Sequence, residues 1–372
     1  MARTIRAPQF PVRLPTPDWR RTLAERLLPW FRRHQRQLPW RQSRDAYRVW
    51  VSEIMLQQTQ VATVIPYFER FLAAFPSVGD LAAADEHEVL RLWEGLGYYR
   101  RARQMHAAAR LVAAQHGGNF PDTLEGIRTL PGIGRYTAGA ILSIAYDQRA
   151  PILEANTIRL LSRLFALPGD VTTPAAQSAL WQLAEAIVPP RKCGTFNQAL
   201  MELGSLVCTP KAPRCDACPV SELCAAFQQG RQDQIPAPRT RPNFEQVREA
   251  AVVVYQRGRV FVRLRQTGER WAGLWDFVRF PLAASRGASL RTELADKTRQ
   301  QAGLAIGETE RIATLKHGVT RFRITLDCYR ANYEKSRVHL PAEQWRWLAP
   351  EALSELPLST TGRKLSRLLL EK

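Results

Sequence analysis

The sequence predicts two unlike folded parts in one chain, an all-α domain followed by a smaller α+β domain. Three observations carry that expectation. From Arg20 to about Ala226, amphipathic stretches of about 10 to 15 residues are broken by Pro and Gly, with no convincing period-2 alternation. The stretch Gln229–Phe244 holds three prolines and no apolar periodicity, and reads as a linker. Beyond it the texture changes: Ala251–Tyr255 and Arg259–Leu264 flank Gln256-Arg257-Gly258 as a hairpin would. Arg321–Tyr329 alternates, Trp345–Leu348 reads as a further short strand, and helical patterns return at Ser289–Ala302 and Thr361–Leu370. The expected division is a basic, Pro-rich arm over 1–18, a helical domain over 19–228, a linker over 229–248 and an α+β domain over 249–372.

A chain of 372 residues is too long for one ordinary core. Its 45% hydrophobic and 23% charged content excludes wholesale disorder. Fifty-three Lys and Arg against 34 Asp and Glu give a net charge of +19, spread along the chain rather than gathered in a tail. A polyanion partner is the first reading, since each neutralised phosphate releases condensed counterions; an Arg-rich composition without such a partner is the other. No apolar run approaches the ~20 residues of a transmembrane helix. The first 20 residues carry four arginines, four prolines and no apolar core of a leader, so a cytoplasmic protein is expected.

Four of the six cysteines fall in Cys208-x6-Cys215-x2-Cys218-x5-Cys224, with Pro210, Pro213 and Pro219 forcing tight turns. Four thiolates so close together point to a metal centre in a reducing compartment, either tetrahedral zinc or an iron–sulfur cluster. Cys193 and Cys328 lie outside the pattern and read as ordinary thiols.

Leu130-Pro-Gly-Ile-Gly134 precedes Arg135-Tyr-Thr-Ala-Gly-Ala-Ile. A helix ends near Leu130, a glycine turn follows, and a new helix begins near Arg135. Backbone N–H groups at Gly132 and Gly134, together with the helix N-terminus, can form an anion site for DNA backbone, a helix–hairpin–helix; a plain αα-turn is the other reading.

Two carboxylates stand out. Glu53 lies in a helix with Asp45 as its expected N-cap, and Val49, Glu53 and Leu56 share one face, so the carboxyl projects from an apolar stripe. Such a group tends to keep its proton. Glu154 lies at the entrance of the next helix after the hairpin, whose N-terminus favours the ionised form. One carboxyl held protonated and one held charged is the division of labour that glycosidic bond cleavage needs.

The cysteine spacing and the hairpin resemble the endonuclease III superfamily of DNA repair enzymes, whose loop holds a [4Fe–4S] cluster. Leu38-Pro-Trp-Arg, the run Ser52–Phe68 and Trp93-Glu-Gly-Leu-Gly-Tyr-Tyr resemble, within that superfamily, adenine DNA glycosylases of the MutY type. The likeness runs from about Leu38 to Cys224. A weaker likeness to that family's C-terminal Nudix-like domain covers 249–372, with Gly273-Leu-Trp-Asp-Phe and His317 as anchors.

The resemblance implies a [4Fe–4S] cluster on the four cysteines and a monomeric, nucleoid-associated enzyme of base excision repair. Its substrate is double-stranded DNA with adenine opposite 8-oxoguanine or guanine. Glu53 protonates the adenine and helps place water, Glu154 answers the developing sugar cation, and Asn156 joins the catalytic set. Trp40, Arg41 and Gln198 border the adenine pocket, while Gln58 and Tyr98 enter the base stack. Tyr136 occupies the place of the lyase lysine of bifunctional relatives, so Schiff-base chemistry is lost and a monofunctional hydrolase follows. His317 and Thr320 belong to the reading of the oxidised guanine.

The chain departs from the family at two places: Glu154-Ala155 stands for Asp-Gly, and Val319-Thr320-Arg321 for Phe-Ser-His. Asp296, Lys297, Gln300 and Gln301 stand where a Nudix hydrolase presents metal-binding glutamates, so pyrophosphate hydrolysis is not expected. A lesion-binding protein without catalysis and a bifunctional glycosylase/lyase remain the alternatives.

Overall fold

The computed structural model describes residues 13–237, 244–283, 286–319, 321–334 and 341–371. By packing, the chain divides into two units: Met1–Ala83 with Gln104–Thr240, and Ala84–Arg103 with Arg241–Lys372. The second thus takes in a short segment from the helical half, which no linear division at a linker anticipates.

Helices α1 (Pro17–His34), α2 (Ala46–Leu56), α3 (Val61–Ala74), α4 (Val78–Ala83), α5 (Glu86–Leu92) and α6 (Arg100–His116) come first. Then follow α7 (Leu124–Arg128), α8 (Arg135–Tyr146), α9 (Ala155–Leu164), α10 (Pro174–Ile187), α11 (Cys193–Leu206) and α12 (Ala225–Gln228). Asp45 caps α2 as its sequence predicts, accepting a 2.8 Å hydrogen bond from the Arg48 N–H. Between α7 and α8, Gly132 adopts φ +78°, a left-handed turn, and a Cβ there would meet the Gln104 side chain at 2.9 Å. Gly194 of α11 lies against the Ser143 carbonyl of α8 so closely that no Cβ would fit. That approach brings α8 and α11 together at backbone contact.

The core of the first unit gathers Leu23, Leu27 and Phe31 of α1, Leu160, Leu161 and Leu164 of α9, and Phe196, Leu200 and Leu203 of α11. The buried face of α9 is broad, with Leu160, Leu161 and Leu164 at its centre. Ile158 and Phe165 are half-buried at its edge, and Arg159 and Arg163 are buried as well.

The second unit is built on a mixed sheet. Its strands are β1 (Glu245–Gln256), β2 (Arg259–Leu264), β3 (Trp275–Asp276), β4 (Val278–Pro281), β5 (Ile306–Val319), β6 (Phe322–Tyr333) and β7 (Trp345–Leu348). Their order is β3-β2-β1-β6-β5, with β4 also on β1 and β7 on β2. The expected hairpin is present, with Tyr255 opposite Val260; β1 and β6 run parallel. Helices α13 (Gly287–Ala302) and α14 (Thr360–Leu370) complete the unit. Val252 and Val254 face the cluster containing Leu294 of α13, while Ala251 and Val253 face the one containing Leu365 of α14. Coverage on both faces explains why β1 reads as a continuous apolar run rather than an alternation. The α+β expectation holds, and β3, β4 and β5 are additions to it.

Candidate active site

A cleft of about 680 Å³ opens in the first unit, a size that suits a nucleoside-scale ligand. Its wall is assembled from α2, α8, the entrance of α9, and α11. Val49, Glu53 and Leu56 all line it, as their shared helical face requires. Trp40, Arg41, Gln58, Tyr136, Glu154, Asn156 and Gln198 line it too. Ten of the residues singled out from the sequence therefore converge on one cavity, although they span more than 150 positions.

Glu53 is 5% exposed, and its carboxylate accepts a very short hydrogen bond from the Tyr136 hydroxyl. Burial pushes the Glu53 carboxyl up to about 7; the Tyr136 hydrogen bond opposes that rise and the nearby Glu154 adds to it. Burial likewise raises the Tyr136 phenol well above its ordinary range, so it stays a donor.

Glu154 is the N-cap of α9. Its two carboxylate oxygens accept from the Asn156 and Thr157 N–H groups at 2.8 and 2.9 Å, and the Thr157 hydroxyl accepts from the Glu154 N–H in return. The helix N-terminus acts as its sequence position predicts, its backbone hydrogen bonds favouring the ionised form, but the net shift is upward. Burial raises it, and the backbone hydrogen bonds only moderate the rise. The carboxyl with the large upward shift is still Glu53.

Sequence reading missed Glu202, fully buried in the same cleft. Burial alone would raise its carboxyl, but Arg36 and Arg41 each donate at 2.9 Å and bring it down to about 2. It lies one helical turn after Gln198 on α11, and that i, i+4 relation was the available signal. Arg41 is thereby held by Glu202 and, at 3.1 Å, by the Arg36 carbonyl. Asn156 accepts from Arg159 at 2.9 Å.

Other predicted residues lie outside the cleft. Gly132 and Gly134 form the turn before α8. Tyr98 and His317 belong to the second unit, and Thr320 lies outside the described residues. Gln58 and Tyr98 share an uncommon backbone, with φ +59° and +48°; left-handed non-glycine residues gather at functional sites. In β5, His317 meets the Arg279 guanidinium at 3.2 Å, and burial together with Arg279 lowers its imidazole to about 4. The ring is therefore neutral at pH 7.

Cys208, Cys215, Cys218 and Cys224 are unbridged and line one further cavity, with Arg163 beside them donating to the Cys208 sulfur at 3.3 Å. Burial raises the Cys218 thiol to about 12, and burial with the neighbouring thiols raises Cys215. Four mutually repelling soft donors around one space call for a cationic centre. Four thiolates lining one space are the donor set of an iron–sulfur cluster and also of tetrahedral zinc. These residues fit a [4Fe–4S] cluster. When bound, it supplies the positive charge that ties the loop together.

Comparison with known proteins agrees with this geometry. Residues 51–186 match the HhH-GPD superfamily base excision DNA repair protein family, 208–224 the iron–sulfur binding domain of endonuclease III, and 249–368 the NUDIX domain. The adenine DNA glycosylase of Mus musculus is 35% identical, with 92% of this chain and 76% of that protein covered. That of Homo sapiens is 44% identical over 70% of this chain and 48% of its own length. One from Buchnera aphidicola is 37% identical over 68% and 74%. Among solved structures, a thermostable thymine-DNA glycosylase superposes with a TM-score of 0.52 at 30% identity, covering 57% of this chain and 98% of that one. A trapped endonuclease III–DNA covalent intermediate, at 19% identity, TM-score 0.50 and coverage of 58% and 99%, shares the fold. With a helix–hairpin–helix, an iron–sulfur loop and a relative 35% identical over 92% of this chain and 76% of its own length, the chain belongs to the adenine DNA glycosylase family.

Proposed function

We propose that this chain hydrolyses the N-glycosidic bond of adenine mispaired with 8-oxoguanine or guanine in duplex DNA, acting as a monofunctional enzyme. The observation that carries the proposal is the Glu53 carboxyl, buried, bonded to Tyr136 and poised near neutrality in a cleft of nucleoside size. A flipped adenine enters that cleft. Glu53 gives its proton to the ring, the bond from sugar to base breaks toward an oxocarbenium ion, and water adds to the sugar carbon while the Glu53 carboxylate takes up the proton it loses. Glu154, less strongly raised, is the carboxylate that answers the cation. Arg41, fixed by Glu202, presents its remaining N–H groups toward the base, with Trp40 and Gln198 beside it.

Tyr136 at the lyase-lysine place supports hydrolysis alone, because no lysine lines the cleft among the described residues. We further propose that Gly132 and Gly134 hold DNA backbone, that Gln58 and Tyr98 enter the base stack, and that residues 249–372, with His317 and Thr320, read the oxidised guanine. Cys208, Cys215, Cys218 and Cys224 hold the cluster.

Single-turnover excision tests the reading. Duplexes with A opposite 8-oxoguanine, G or T are compared, each with and without borohydride. The expected result is adenine release fastest opposite 8-oxoguanine and no trapped covalent adduct. Binding without release would favour a lesion-binding protein, and a trapped adduct would favour a glycosylase/lyase.

A further inference from the structure

Tyr98 is 51% exposed at the tip of a loop whose neighbours Gly95 and Gly97 also take positive φ, +100° and +70°. A large, exposed aromatic residue in a left-handed conformation is unfavourable, and the surrounding structure must hold it there. Part of the hold is local. The Arg101 guanidinium lies 5.2 Å from the Trp93 ring and 5.7 Å from the Tyr98 ring, and donates to the Leu96 and Gly97 carbonyls at 3.1 Å each.

The rest comes from residues about 260 positions further along the same unit. Glu94 takes a two-point hydrogen bond from Arg363 of α14, at 2.6 and 2.9 Å. Arg363 is fixed from behind, donating to the Leu353 and Leu356 carbonyls at 2.7 and 2.6 Å. Between these elements stands Leu358, and the Tyr98 loop takes both of its backbone groups. Its N–H donates to Glu94 at 3.2 Å, and its carbonyl accepts from the buried Tyr99 hydroxyl at 3.1 Å. Clamps thus sit four residues before Tyr98 and one after it, and a planar guanidinium held on both edges allows little play.

We infer that Glu94, Arg363 and Tyr99 are positioning residues that hold Tyr98 in its inserting conformation, so that the α+β unit sets the placement of the side chain entering the DNA stack. The inference rests on the proposed role of Tyr98 in the base stack. A merely stabilising ion pair would act on the melting temperature and leave the stacking geometry alone.

The test uses the full-length, cluster-loaded protein and a duplex with 2-aminopurine beside an adenine·8-oxoguanine pair, whose fluorescence reports unstacking. Glu94→Gln and Arg363→Gln are each expected to lower the fluorescence change at saturating protein and to cut the preference for mispaired over matched duplex by about tenfold. The reversed pair Glu94→Arg with Arg363→Glu, and separately Arg363→Lys, should recover part of both. Parental signals in both single variants, while Tyr98→Ala abolishes the signal, would overturn the inference and leave the Tyr98 reading standing. A parental signal in Tyr98→Ala would remove the base-stack reading and the inference together. Equal losses in every variant without recovery would mark general destabilisation, and would also overturn it.

Discussion

Glu53 in the helical unit and Glu249 in the sheet unit are each 5% exposed, and the same loss of water acts on both. Around Glu53 the direct partner is a neutral phenol, and the carboxyl is pushed up to about 7. Around Glu249 stand two guanidinium groups, Arg279 at 2.6 Å and Arg270 at 2.7 Å. Burial there would raise the carboxyl, but those cations hold it below its ordinary range. Glu202 repeats the second solution inside the first unit's own cleft, at about 2. Burial therefore does not by itself make a proton donor. The partner decides, and a carboxyl with a neutral donor keeps a transferable proton where one with guanidinium partners becomes a fixed strut.

The comparison breaks most visibly at Glu53. Glu53→Gln keeps shape and burial but has no proton to give, so single-turnover excision should fall by ~10³-fold or more with duplex affinity within about threefold of the parent. Retained cleavage would remove Glu53 from the mechanism. Glu249→Gln should leave excision chemistry nearly untouched yet leave Arg279 with a buried charge half-compensated, costing the sheet unit about 3 kcal/mol in denaturant unfolding. A loss below about 0.5 kcal/mol would mean that its guanidinium partners are not structural.

Glu154 tests the middle ground. Shortening it to Asp draws the carboxylate back from the cleft, and a misplacement of ~1 Å can cost up to ~10²-fold. Glu154→Asp should slow the chemical step by about tenfold or more, and adding Ala155→Gly should return part of that rate because the neighbouring backbone can then move inward. A faster Glu154→Asp enzyme would show the position to be a damaged one instead.

The smallest effect is on stability against pH. Glu53 rises from 4.5 to about 7 on folding, so folding takes up a proton between those values. Its favourable contribution is complete below about 4.5 and is lost as pH rises through about 7. Glu202 runs the other way, contributing above about 4.5 and losing that contribution as pH falls toward about 2. The melting temperature should thus fall by a few degrees between pH 5 and 8, and Glu53→Gln should flatten that fall. An unchanged slope would place the titration elsewhere.

Much of the site was readable before any coordinates. The apolar face of α2 pointed Glu53 into the cleft, the cysteine spacing located the cluster loop, and the glycine turn located the hairpin. What escaped was of another kind. Strand β5 carries Glu, Arg and Lys, and within it only Ile306 is buried, so its apolar alternation is too faint to read. Glu202 on α11 looks like an ordinary helical glutamate until Arg36, 166 positions away, is seen against it. The net direction of the Glu154 shift was not legible, because the helix end is local and the depth of burial is not.

The sequence by itself determined the features whose geometry closes within a few residues: helix caps, the hairpin turn, the thiolate loop and the periodic face that presents Glu53. Local hydrogen bonds and side-chain spacing specify these whatever packs around them. Only the tertiary structure decided which buried carboxyls met a guanidinium and which a phenol, and that the Tyr98 loop would close on Leu358 and Arg363. Those outcomes depend on desolvation and on partners brought from 21 to 269 positions away, and no local pattern encodes them.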